Sequence, residues 1–132
     1  MAHYEKYTRG AVKGLLRHDA RSEDVEKGVE HARSNENIDA SRTGLNYNLA
    51  PKRDVSMGGF IKRRCSEART LNRKDVNVMC SWVVTLPSNV RPEDEYKFFR
   101  AAYDFLSDKY GERNTVAAWV HKDETMPHLH FC

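Results

Sequence analysis

Apolar and polar positions recur along this chain with periods that predict eight elements, ordered strand, helix, strand, helix, strand, helix, strand, strand. HYEKY (3–7) alternates as a short strand. Gly10 introduces AVKGLLRHDARSE, where Val12, Leu15 and Leu16 mark one helical face. The polar stretch from Glu23 to Asp39 reads as a loop with some frayed helix. LNYNLAP (45–51) reads as a second short strand stopped by Pro51, and a basic helix follows from Val55 to Ala68. Val76 to Leu86 is β-rich, with Val76, Val78, Cys80, Trp82 and Val84 at alternate positions, and Pro87 closes it. Pro92 opens a helix on which Tyr96, Phe99, Tyr103, Leu106 and Tyr110 recur at helical steps, an aromatic stripe expected to face the core; Gly111 ends it. TVAAWV (115–120) is a further strand. The turn KDETMP then leads to a last strand beginning at His128.

Long hydrophobic strands separated by helices predict an α+β fold with a largely antiparallel sheet. The 132 residues have room for one domain over 1–132. The chain stops at Phe131-Cys132, only a few residues into its last strand, so it reads as the truncated N-terminal part of a longer protein. No apolar run approaches the roughly 18 residues that span a bilayer. MAHYEKYTRG lacks a signal-peptide core, so no membrane insertion and a cytoplasmic location are expected. Cys65, Cys80 and Cys132 are odd in number and widely spaced, which predicts reduced thiols rather than a disulfide framework or zinc ribbon.

Charge adds a direction. The net +3 is small, but residues 52–74 hold 8 Lys/Arg against 2 Asp/Glu, a local +6. Such a segment attracts a polyanion through counterion release and steering. It also disfavours a hydrolase for small phosphoesters.

The sharpest chemistry lies in V-His121-K-Asp123-Glu124-T-M-Pro127-His128-L-His130-F. Residues two apart on a strand share a face, so His128 and His130 lie about 6–7 Å apart at the backbone, with Leu129 turned to the core. A six-residue loop brings His121, ending the preceding strand, opposite that pair. Three imidazoles then converge on one point, a donor set suited to Zn, Cu, Fe, Ni or, with carboxylate or water, Mn. Three protein ligands leave positions open for water or substrate, as in a catalytic metal site. Glu124 can ligate, hold an imidazole N–H or act as a base; Asp123 reads as a turn or supporting residue.

A second cluster sits on the first helix, where His18 and Arg21 are three apart and share a face, flanked by Arg17 and Asp19. Taken together, HxxR near the start, SRTGLNYNL (41–49), RKD (73–75) and HKDETMPHLH resemble the MobV family of plasmid relaxases, the Pre/Mob mobilisation and recombination proteins. The similarity runs from His3 to Phe131 and covers the N-terminal relaxase domain of that family.

The resemblance implies an HUH-endonuclease-like fold: a mostly antiparallel five-stranded sheet with flanking helices. It implies site- and strand-specific nicking and rejoining of DNA at a plasmid origin of transfer, through a covalent link to the 5′ phosphate. The nucleophile would be His18 with Arg21 as partner, and the metal triad His121, His128 and His130 with Glu124 as the acidic residue. Mn²⁺ or Mg²⁺ is the implied ion. Plasmid DNA, single-stranded or supercoiled, is the implied partner, and a dimer through a further C-terminal region is implied for the full-length protein. Asn46 and Tyr47 fall in the family's second motif; Tyr47 competes with His18 as nucleophile, and Tyr4 and Tyr7 are remoter candidates. Arg69, Arg73 and Lys74 are candidate phosphate contacts, with Arg73 also able to approach the site. Two other readings stay open: a rolling-circle replication initiator of the same fold, and an origin-binding module that does not cut.

Overall fold

The computed structural model describes residues 2–20 and 38–132, without the side chains of Lys13, Arg17–Ala20 and Ala40. Strand β1 spans Ala2–Thr8 and helix α1 Arg9–Ala20. A 3-10 helix over Ala40–Leu45 leads into β2, which is Tyr47–Asn48. Helix α2 is Met57–Glu67 and β3 Asn77–Thr85. Helix α3 runs Glu95–Tyr110 after a 3-10 turn at Pro92–Asp94, and the chain closes with β4, Ala118–His121, and β5, His128–Phe131. The polar stretch read as a loop lies outside the described residues except for Ile38 and Asp39.

The strands form one five-stranded sheet in the order β1-β3-β5-β4-β2, and every neighbouring pair is antiparallel. The expected α+β architecture is present. The C-terminal hairpin lies in the middle: β5 is flanked by β3 and β4.

Two layers of helix cover the two faces. Helix α3 lays Phe99, Tyr103 and Leu106 on one face, against Ala118 and Val120 of β4 and Leu129 and Phe131 of β5. Phe99, Ala118, Val120 and Leu129 are wholly buried. Removing the Phe99 ring is therefore a cavity-forming change of the kind that costs about 3–5 kcal/mol. On the other face α1 (Val12, Leu16) and α2 (Phe60, Ile61) pack against Met79, Val116 and Cys132. Ser56 caps α2 by accepting the Gly59 amide at 3.1 Å.

Three sequence expectations change. The strand read over 45–51 shrinks to two residues, because the Asn48 carboxamide oxygen itself accepts the Ala118 and Ala50 amides and replaces a ladder carbonyl. The strand read from Thr115 begins at Ala118, since Val116 and Ala117 both direct their amides at the Cys132 carbonyl instead of pairing regularly. Tyr96 is not core: it is 57% exposed, and its ring lies 6.0 Å from that of Tyr47 beyond the end of the stripe. Among the described residues no helix is long and apolar enough to cross a membrane.

Candidate metal centre

Register places the three histidines. In β4 and β5 His121 pairs with His128, and His130 pairs with Trp119, so all three imidazoles leave the same face of the sheet. Val120 and Leu129, the pair between them, go to the α3 core. The hairpin's alternation thus builds core and site at once. His121 is fully buried, and His128 and His130 are each 9% exposed. Ring centroids are 4.7 Å apart for His121 and His130, 4.8 Å for His128 and His130, and 5.3 Å for His121 and His128. Each offers a ligand atom within 4.8 Å of the others.

Glu124 stands beside them, with one carboxylate oxygen 4.0 Å from His121 Nδ1 and the other 3.7 Å from His128 Nε2. The Met126 carbonyl lies 2.8 Å from His128 Nδ1. A carbonyl only accepts, so Nδ1 carries the proton and Nε2 is left with the lone pair a metal requires. Neutral nitrogen donors beside one carboxylate are the composition a divalent first-row ion prefers. The residues present fit the group.

The turn joining the hairpin is tied from several sides. The Lys122 amide donates to Asn46 Oδ1 at 2.7 Å, and Lys122 Nζ pairs with Glu95 at 3.2 Å. Asp123 is 1% exposed; Thr43 Oγ1 donates to its carboxylate at 3.0 Å, and its carbonyl accepts the Asp39 amide at 2.6 Å. The sequence marks Asp123 as a turn or supporting residue and does not single out Thr43. The contact joins residues 80 positions apart, which no local pattern reveals.

The other candidates divide by face and by end. Helix α1, which carries His18, covers the histidine face through Val12 and Leu16. The side chain of His18, and Arg21 entirely, lie outside the described residues. Tyr47 pairs with Val120 and packs with the α3 core, so it is on the face away from the histidines; Tyr4 pairs with Trp82, 5.0 Å between rings, on that same far face. Burial, then the nearby Glu95 carboxylate, pushes the Tyr47 phenol up to about 12. Tyr7 is on the histidine face but pairs with Met79, four residues along β3 from Val83, the partner of His130. That is about 13 Å along the strand.

Asn46 is engaged with the Lys122 amide, and its Nδ2 is buried with no partner among the described residues. Arg69 is exposed, at φ 55, where it ends α2: its amide donates to Ser66 and the Thr70 amide to Cys65. Arg73 pairs with Asp75 at 3.2 Å, and Lys74 is exposed beside it. Both precede Asn77, six residues along β3 from Val83, or about 20 Å from the level of His130. Arg73 lies in the loop leading into β3, at the end of the strand away from Val83, the partner of His130.

The basic segment is also less free than its count implied. Arg53 donates to the carbonyls of Glu112 and Thr115, at 2.7 and 3.2 Å, and stacks 4.8 Å from the Phe60 ring centroid. Arg64 donates twice to Asn114 Oδ1 and pairs with Glu67. These two cations hold the fold.

A family model described as "Plasmid recombination enzyme" matches residues 1–132. Among curated proteins, the plasmid recombination enzyme of Bacillus thuringiensis is 29% identical over 133 residues, covering 97% of this chain and 28% of that protein. That of Streptococcus agalactiae is 32% identical over 138 residues, covering 98% and 26%. The chain thus spans about a quarter of the length of these relatives. Among solved structures, the MobM relaxase domain (MOBV) bound to plasmid pMV158 oriT DNA, Mn-bound at pH 6.8, matches with a TM-score of 0.80 and 32% identity over 99% of this chain and 67% of that one. The same domain with 22 nucleotides of oriT DNA, Mn-bound at pH 4.6, matches at 0.78 and 31%, over the same shares.

Proposed function

This chain belongs to the plasmid recombination enzyme family, the MobV relaxases, and on that premise we propose that it nicks and rejoins one strand of plasmid DNA at an origin of transfer. The observation that carries the reading is the buried triad of His121, His128 and His130, with Glu124 at its side. These three imidazoles hold a divalent ion, and the donor set suits Mn²⁺ better than Mg²⁺, which prefers oxygen. When bound, the ion supplies Lewis-acid polarisation of a non-bridging phosphate oxygen and fixes the phosphate for attack.

His18 is the nucleophile. A neutral imidazole is available near pH 7 and attacks in line: an N–P bond forms, the P–O3′ bond breaks, the proton on the other ring nitrogen is released to solvent, and the leaving oxygen takes one from solvent to become a 3′ hydroxyl. The 5′ phosphate stays on His18 as a phosphoramidate. A 3′ hydroxyl reverses the step and rejoins the strand without an external energy source. Arg21 makes a bidentate contact to the phosphate or steadies the imidazole. Support for His18 over Tyr47 and Tyr4 is the placement of its helix: α1 packs on the histidine face through Val12 and Leu16, whereas Tyr47 and Tyr4 lie on the other face. Mn-bound, oriT-bound structures of a relaxase domain 32% identical support both the ion and the partner.

Residues 1–132 act as one nicking domain, in the cytoplasm, with exposed cations such as Lys74, Arg73 and Arg69 meeting the phosphate backbone. In the full-length protein a further C-terminal region supplies dimerisation. The test is covalent capture. Protein is incubated with supercoiled plasmid bearing its own origin of transfer and Mn²⁺, then examined for a protein–DNA adduct under denaturing conditions. His18→Ala is expected to lose the adduct and Tyr47→Phe to keep it. An adduct that survives in His18→Ala overturns the assignment, and DNA binding without any adduct favours a module that does not cut.

A further inference from the structure

Segment 39–48 lies along β4 and continues past its end. Tyr47 and Asn48 pair with Val120 and Trp119, which places Asn46 next in line, at the level of His121. There the strand pairing has run out, and the Asn46 carboxamide oxygen takes over by accepting the Lys122 amide at 2.7 Å. One residue further on, Asp123 is buried, and a buried carboxylate is held only where donors reach it. Thr43 Oγ1 is such a donor, at 3.0 Å. The Asp39 amide closes on the Asp123 carbonyl at 2.6 Å, and the Asp39 carboxylate caps the 3-10 helix through the Ser41 amide and hydroxyl, at 3.0 and 2.6 Å. Capping and clamping are thus coupled in one residue. The clamped turn separates His121 from Glu124 and from the His128 strand.

We propose that Thr43, Asn46 and Asp123 form a latch that holds the turn after His121 in ligating register, which makes Asn46 a positioning residue for the metal centre rather than a DNA contact. The effect on ligation rests on the metal reading given above; the latch itself does not. Its bonds act on the two residues directly after His121. Loosening them frees the backbone that carries one ligand and the neighbouring carboxylate, while the strand carrying His128 and His130 stays paired on both sides. Partners that orient metal ligands in this way typically change affinity by about 10–100-fold when removed.

The variants separate the atoms involved. Thr43→Val keeps the shape and removes the hydroxyl; Thr43→Ser restores it. Asn46→Ala removes the acceptor, whereas Asn46→Asp keeps an acceptor oxygen, loses the Nδ2 donor and repels phosphate. Mn²⁺ affinity is measured by calorimetry and by the paramagnetic resonance signal of bound Mn²⁺, without DNA. Amide hydrogen exchange over residues 121–126 is measured on metal-free protein. We expect Thr43→Val and Asn46→Ala to weaken Mn²⁺ at least about tenfold, with Thr43→Ser and Asn46→Asp close to the parent. We also expect Thr43→Val to speed exchange at the amides from Asp123 to Met126, none of which it bonds itself.

Unchanged exchange in Thr43→Val overturns the latch. Faster exchange with unchanged Mn²⁺ affinity overturns its role in ligation. If Asn46→Asp loses DNA and keeps Mn²⁺ while Asn46→Ala also keeps Mn²⁺, Asn46 is a DNA contact and the positioning role is wrong. A parent protein that takes up no Mn²⁺ sinks the metal reading, and the exchange arm still decides whether the latch exists.

Discussion

At the scale of single residues, side chains that look alike in sequence separate by the face they leave. Tyr47 stands in a motif beside Asn46, yet alternation along β2 sends it to the α3 core. An attacking tyrosine must shed its proton, and a phenol pushed up to about 12 sheds it two decades later than an ordinary one near 10. The ultraviolet difference spectrum of the parent against Tyr47→Phe is therefore expected to show no phenolate growing in at pH 10, with the transition near 12. The sign for stability follows: a raised acid pKa means the folded state holds its proton longer, so stability falls as pH rises from 10 towards 12. A Tyr47 transition at 10 overturns the burial argument. Arg69 offers a second residue-scale test. It occupies the left-handed position after α2 that normally takes glycine, at a cost of about 1–2 kcal/mol for a residue with a side chain. Arg69→Gly is expected to raise the unfolding midpoint by an amount equivalent to about 1 kcal/mol, as denaturant titration reads it. No gain means that the Arg69 side chain makes a compensating contact.

At the scale of elements, period was readable, and so were the ends that Gly or Pro marks, but not the ends that side chains set. The 3.6-residue stripe of α3 and the two-residue alternation of the hairpin are both where hydrophobic positions put them, because burial on one face sets the pattern. The histidine cluster was legible for the same reason, being a strand pattern with histidine in place of valine. Where side chains replace backbone, sequence reading failed. Asn48 stands in for a ladder carbonyl and shortens β2, and Thr43, the partner of Asp123, lies 80 positions away in the chain. His18 was marked by its motif, and only the placement of α1 over the histidine face is added by the structure. Gly111 was legible as a terminator, and it does more than end α3. At φ 89 it is in a conformation side chains avoid, and a Cβ there meets Asn114 Nδ2 at 3.2 Å. Asn114 in turn holds Arg64 of α2 and donates to the Tyr110 carbonyl. Gly111→Ala is expected to destabilise by about 1–3 kcal/mol. Asn114→Ala in the same background tests the route: if the contact matters, the combined loss is smaller than the sum of the two. Full additivity leaves backbone strain alone as the cause.

At the scale of the whole molecule, the sheet divides labour between its faces and its ends. One face is sealed by α3; the other is shared by the α1–α2 cover and the histidines. Lys74 and Arg73, at the end of the basic segment, precede the start of β3 at Asn77, which is itself about 20 Å along the strand from Val83, the partner of His130. At 3.4 Å per base pair that distance is about six base pairs of duplex. Cations there can add affinity for flanking DNA without touching the scissile phosphate. Lys74→Ala is expected to lower affinity for a long origin duplex and to flatten its salt dependence by about 0.7–0.9 in log K per log salt. The same substitution leaves binding and nicking of a short substrate, ending within a few nucleotides of the cut, as in the parent. Arg53→Ala is the contrast. It abandons two carbonyls and the Phe60 ring, so it is expected to destabilise the fold by about 1–3 kcal/mol with the salt slope unchanged. Fluorescence anisotropy at several salt concentrations, with long and short DNA, reads both. Equal loss on long and short DNA in Lys74→Ala would place the basic loop at the cut itself and refute the separation of anchoring from chemistry.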